Sequence, residues 1–107
     1  MTQIITVLAS IKLAEGKTEQ DLLAASETFE REFVRLQPGV LRRELVKKGA
    51  GEYIDIVQFR SAEDMEAIME LEMASPACHA LFAVIDMTGM SNSGVATYSS
   101  LTTYSKA

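Results

Sequence analysis

Tryptophan is absent from the 107 residues, cysteine and histidine occur once each, and proline occurs twice. A lone Cys78 cannot close an internal disulfide, and with His79 as the single imidazole no Cys/His cluster for structural zinc can form. Stability must come from an apolar core, as a reducing compartment requires. Basic residues are also scarce. Ten Lys and Arg against fifteen Asp and Glu give a net charge of −5, with no basic stripe of the kind that phosphate backbones need, so DNA and RNA are poor partners. No apolar run approaches the roughly 18 residues of a membrane helix. Met1 to Leu13 is apolar but has neither a basic leader nor a small-residue cleavage site. The expectation is a cytoplasmic protein without membrane contact. Domains run from about 50 to 250 residues, which leaves room here for one core, so residues 1–107 are read as a single domain.

What is present is a clear succession of periodic segments. Gln3 to Leu13 alternates with a period of two and is rich in β-branched residues, the pattern of a strand. Both its faces carry apolar side chains, which predicts cover on both sides. Thr18 followed three residues later by Asp21 resembles a capping box, and Leu22, Ala25, Phe29, Phe33 and Leu36 then recur at helical steps until Pro38-Gly39. Val40 to Lys48, the turn Gly49-Ala50-Gly51, and Glu52 to Arg60 read as a β-hairpin. Ser61 with Asp64 opens a second helix that carries Met65, Ile68, Met69, Glu72 and Met73 along one side. Ser75-Pro76 predicts a break near Ala74 and a restart bearing the stripe Cys78, Leu81, Phe82 and Ile85. A flexible stretch, Met87 to Gly94, leads to a last strand over Val95 to Tyr104.

The order β, α, β, β, α, β is the ferredoxin-like arrangement of the α+β class, a four-stranded antiparallel sheet with the helices on one face. The other face also receives apolar side chains, which predicts that two sheets pack together in a homodimer. First and last strands of about 11 residues would exceed the usual 5–6 and could reach across to a second subunit.

A cleft between helices and sheet, roofed by Phe29, Phe33 and Phe82, is the natural place for a ligand. His79 is the one side chain that titrates near neutrality unaided, and so the default general acid or base. It sits one residue off the apolar stripe, where an amphipathic covering role is the plainer reading. Cys78 reads as core. Met65, Met69 and Met73 form a polarizable stripe that suits either a planar ligand or core packing. Arg42, Glu44, Asp55 and Gln58 are polar groups inside strands that pair across the sheet or orient a substrate. Tyr53, Tyr98 and Tyr104 offer hydroxyls to a ligand or to a dimer interface.

The run YIDIVQFRSAEDMEAIMELEMASPACHALFAVID and the hairpin PGVLRRELVKKGAGEYIDIVQFR together resemble the antibiotic biosynthesis monooxygenases of the dimeric α+β barrel superfamily, over nearly the whole chain. The resemblance implies a dimeric barrel and an activity drawn from a group that includes cofactor-independent oxygenases of aromatic polyketides or quinols and haem-degrading enzymes. In the haem-degrading members an iron-binding histidine lies late in the second helical region, where Phe82 stands here. Their haem-pressing tryptophan has no counterpart, which disfavours haem degradation. The implied reading is a small monooxygenase needing no cofactor and no metal, acting on an aromatic or quinol-like molecule. His79 would take the substrate proton, Phe33, Met69 and Phe82 would wall the ring off from water, and Gln58 and Tyr53 would orient it. Two alternatives stand beside it: a non-catalytic ligand-binding or assembly domain with its cleft filled by methionines, and an acid-base isomerase or cyclase that works without O2.

Overall fold

The computed structural model describes residues 3–86 and 95–104. Its elements are β1 (Ile5–Lys12), α1 (Glu19–Glu32), a 3-10 turn (Val34–Leu36), β2 (Val40–Gly49), β3 (Glu52–Phe59), α2 (Ala62–Glu72), α3 (Pro76–Phe82) and β4 (Val95–Ser99). The four strands form one antiparallel sheet in the order β2-β3-β1-β4, the ferredoxin-like topology expected from the sequence.

Local chemistry sets the boundaries. Thr18 accepts from the Asp21 backbone N–H at 3.2 Å while the Asp21 carboxylate accepts from Thr18 N–H at 2.9 Å, so the capping box is complete. At α2 only half of that device forms. Ser61 Oγ accepts from Asp64 N–H at 3.1 Å, but the Asp64 carboxylate turns to Arg60 Nε at 2.7 Å. The predicted helix from Thr18 to Leu36 is divided: at Phe33 the backbone leaves the α region (φ −132°, ψ −63°) and the chain continues as the 3-10 turn. In the hairpin Gly49 pairs with Glu52, and Gly51 takes a left-handed φ of +73° that a side chain would oppose.

The last strand is shorter than its alternation suggests, ending at Ser99 rather than Tyr104. The ladder closes where Ser99 pairs with Ile5; beyond it Ser100 N–H donates to the Ile4 carbonyl at 2.8 Å and Gln3 caps the Ser100 carbonyl. β1 likewise covers Ile5–Lys12 and not the full Gln3–Leu13. The stretch Met87 to Gly94 lies outside the described residues.

All the strongly buried strand residues, Ile5, Val7 and Ile11 of β1 and Tyr53, Asp55 and Phe59 of β3, lie on the face toward the helices. They meet Leu22 and Phe29 of α1, Ile68 of α2 and Cys78 and Leu81 of α3, with Leu22 and Cys78 fully enclosed. The opposite face carries Leu8, Ile54, Ile56 and Val46, all half-buried, and the exposed Tyr98. Among the described residues, no helix is long and apolar enough to cross a membrane.

Candidate functional site

Between the sheet and the helix layer lies a cavity of about 200 Å³. Its floor exists because β1 places a small residue between two large ones: Ala9 sits between Val7 and Ile11 and pairs with Asp55 on one side and Val95 on the other. The roof is aromatic and aliphatic, with Phe29 and Phe33 from α1, Ile68 and Met69 from α2, and Leu81 and Phe82 from α3. Phe29 and Phe33 stack with centroids 5.4 Å apart. Of the lining residues Met69, Phe82 and Val95 are the most exposed, at 37%, 39% and 40%, so the mouth opens between α2, α3 and β4.

Four polar side chains reach this apolar wall: Arg43, Asp55, Glu72 and Cys78. Arg43 of β2 and Asp55 of β3 are diagonal neighbours across the ladder, because Arg43 pairs with Val57 and Asp55 with Leu45. Arg43 Nε donates to both Asp55 oxygens at 3.1 and 3.2 Å. Its Nη2 donates to Ser26 Oγ at 2.8 Å, and its Nη1 to the Ser26 carbonyl at 3.3 Å and Glu30 Oε1 at 3.4 Å. The guanidinium also lies over the Phe29 ring, 5.2 Å from its centroid. This many partners offset the cost of burying the charge. Burial still pushes the Asp55 carboxyl above its ordinary range, against the pull of Arg43.

Glu72 is the last residue of α2, half-buried against the cavity. Burial pushes its carboxyl up to about 7, with the Asp55 charge adding to the rise and a hydrogen bond from Cys78 opposing it. Cys78 Sγ donates to Glu72 Oε2 at 3.8 Å. Its thiol is pushed up to about 12 by burial and then by the Glu72 charge, which keeps it protonated and inert as a nucleophile. The chemistry available is thus a carboxyl that exchanges a proton near neutrality at the wall of an apolar cavity, the property asked of a general acid or base.

Three of the residues expected at a site, Phe33, Met69 and Phe82, line the cavity together. The structure does not bring the other three there. His79 is exposed on the outer side of α3, its Nε2 2.7 Å from the Met73 carbonyl oxygen. Gln58 pairs with Thr6 and Arg42 on the sheet face away from the helices. Tyr53 is on the helix side, but its hydroxyl donates to Glu19 Oε1 at 2.8 Å, beside the Lys47–Glu19 ion pair at 2.9 Å. The methionine stripe also divides, with Met65 packed on the core, Met69 at the mouth and Met73 77% exposed. Sequence reasoning singles out neither Glu72 nor Arg43 as a site residue. The available signal was Glu72 itself, a carboxylate set on the apolar stripe of α2.

No protein-family model matches the sequence, and a search of curated proteins gives no match. Solved structures do match, and the class they define is the fold of antibiotic biosynthesis monooxygenases and their relatives. SnoaB, a cofactor-independent oxygenase from Streptomyces nogalater, superposes with a TM-score of 0.65 at 14% identity, covering 99% of this chain and 100% of that one. A haem-degrading protein from Mycobacterium tuberculosis gives 0.68 at 16% identity, covering 99% and 100%. A candidate antibiotic biosynthesis monooxygenase from Bordetella bronchiseptica gives 0.69 at 14% identity, covering 95% and 99%. At such identities the likeness is one of fold, and the chemistry must be argued from the site. The donor set does not fit haem: the single histidine is outside the cavity, and its one cysteine is held as a thiol by Glu72.

Proposed function

We propose that this chain is a small cofactor-independent monooxygenase of an aromatic or quinol-like molecule, with Glu72 as its proton acceptor and donor. The observation that carries this reading is a carboxyl titrating at about 7 on the wall of an otherwise apolar cavity. An apolar cavity of about 150 Å³ accepts benzene, so about 200 Å³ has room for one or two rings, with Phe33, Met69 and Phe82 around them.

For an acidic ring CH2 the steps balance without an added reductant. Glu72 takes a proton from the carbon, and the carbanion passes one electron to O2. The radical pair then joins in a C–O bond. The resulting peroxide anion recovers a proton from Glu72, and loss of the second C–H with cleavage of O–O leaves a carbonyl and water. One oxygen atom enters the product and the other leaves as water. The apolar wall favours this course because water that would reprotonate the carbanion is excluded.

Oxygen uptake with a panel of anthrones and hydroquinones tests the reading. The parent protein is expected to consume O2 with a rate that rises through an apparent pKa near 7. Glu72→Gln should lose on the order of 10²–10⁴ of that rate, the usual contribution of a general base, while His79→Ala should keep it. Turnover by Glu72→Gln at the parent rate rejects the role, and substrate conversion without O2 uptake assigns the cavity to an isomerase. The half-buried apolar sheet face supports a homodimer, for which light scattering of the purified protein is the direct measurement.

A further inference from the structure

We infer that the cavity takes uncharged aromatics that donate a hydroxyl and turns away aromatics that carry a carboxylate. This rests on the cavity's being the substrate site. Among the described residues its lining contains two carboxyl groups, Asp55 and Glu72, and a single cation, Arg43. A guanidinium is the usual fork for a ligand carboxylate, but this one is already engaged. Its Nε is shared by both Asp55 oxygens, its Nη1 by the Ser26 carbonyl and Glu30, and its Nη2 is on Ser26 Oγ. One face of its plane rests on Phe29. Asp55 and Glu30 both contact the guanidinium, and Glu72 adds a third carboxyl on the cavity wall. A ligand anion would therefore meet acceptors and like charge in a poorly solvated space, with no free cationic fork to receive it.

A ligand hydroxyl meets the opposite situation. Among the described residues Glu72 has a single weak partner, the Cys78 thiol at 3.8 Å, which leaves carboxylate lone pairs open to a phenolic donor. Among the described residues the mouth is formed by Met69, Phe82 and Val95, all apolar.

Calorimetric titration of the parent protein at about pH 8 with naphthalene, 2-naphthol and 2-naphthoate separates the terms. All three share one ring system, the first without a polar group, the second with an uncharged donor, the third with an anion. The expected result is binding of 2-naphthol at least tenfold tighter than 2-naphthoate, with naphthalene between them. Glu72→Gln should bring naphthol and naphthoate closer together by weakening the first and strengthening the second. If 2-naphthoate binds as tightly as 2-naphthol while naphthalene also binds, the selectivity is overturned and the cavity stands. Failure of all three to bind overturns the substrate site and the selectivity with it.

Discussion

Replacing Glu72 by glutamine should make the protein more stable, and only in neutral to alkaline solution. In the folded chain the carboxyl titrates at about 7 against an ordinary 4.5, chiefly because it is buried. At about 1.4 kcal/mol per tenfold change, that rise corresponds to roughly 3 kcal/mol against the ionised form. The remaining solvent contact of Glu72 reduces this to about 2 kcal/mol. The folded state holds this proton more tightly than the unfolded state does. The associated stability is therefore fully present below pH 4.5 and is lost as the pH rises through about 7. Glutamine has nearly the same shape and no charge to bury. Glu72→Gln should accordingly gain about 2 kcal/mol at pH 8 and almost nothing at pH 4.5, a rise in Tm on the order of 10 °C at the higher pH. Urea unfolding followed by far-UV circular dichroism at the two pH values measures it. A variant that is less stable than the parent at pH 8, or a difference that does not change with pH, would refute the burial of this carboxyl. Gain of stability with loss of oxygenation in one substitution would mark Glu72 as a residue kept for chemistry at a cost to the fold.

Two further substitutions probe the scaffold around the cavity. Arg43→Met strands the buried Asp55 carboxylate and should cost about 3–5 kcal/mol at pH 7. The loss should shrink toward pH 4 as Asp55 takes up a proton, and Arg43→Met/Asp55→Leu should recover more than half of it, read from urea midpoints. Gly39→Ala would bring its Cβ to 2.8 Å from Asp64 Cβ and 3.1 Å from Ile68 Cδ1, and should cost roughly 1–3 kcal/mol because β2 must move off α2. An unchanged Tm would show that the contact relaxes freely.

Much of the fold was legible because local and global signals agree. The alternation of β1, the Thr18–Asp21 box, the hairpin glycines and the break before Pro76 each fix a boundary through a few neighbouring residues. The expected length of β4 failed for a reason no local pattern contains: its alternation continues past Ser99, but the ladder with β1 closes at the Ile5–Ser99 pair. The site was legible in its apolar part, since helical steps place Phe33, Met69 and Phe82 inward. Its polar part was not. Arg43 and Asp55 meet through the register of two strands, which the sequence leaves open by a residue or two because of bulges near Leu41 and Lys48. His79 drew notice for its chemistry, yet one step of about 100° around α3 carries it from the Cys78 side to the outside.

Glu72 and Cys78 are six residues apart. On an unbroken helix, six residues would set them about 120° apart around the axis and about 9 Å along it, too far for the two side chains to touch. They meet because Met73–Ser75 interrupts the helical run, Ser75 Oγ accepts from Cys78 N–H at 3.2 Å, and His79 Nε2 joins the Met73 carbonyl across the interruption. The contact between Glu72 and Cys78 is in this sense a property of a bend in the chain. A variant that fused α2 and α3 into one rod would part the Glu72 carboxyl from the Cys78 thiol and so remove the hydrogen bond that opposes the upward push of burial on that carboxyl.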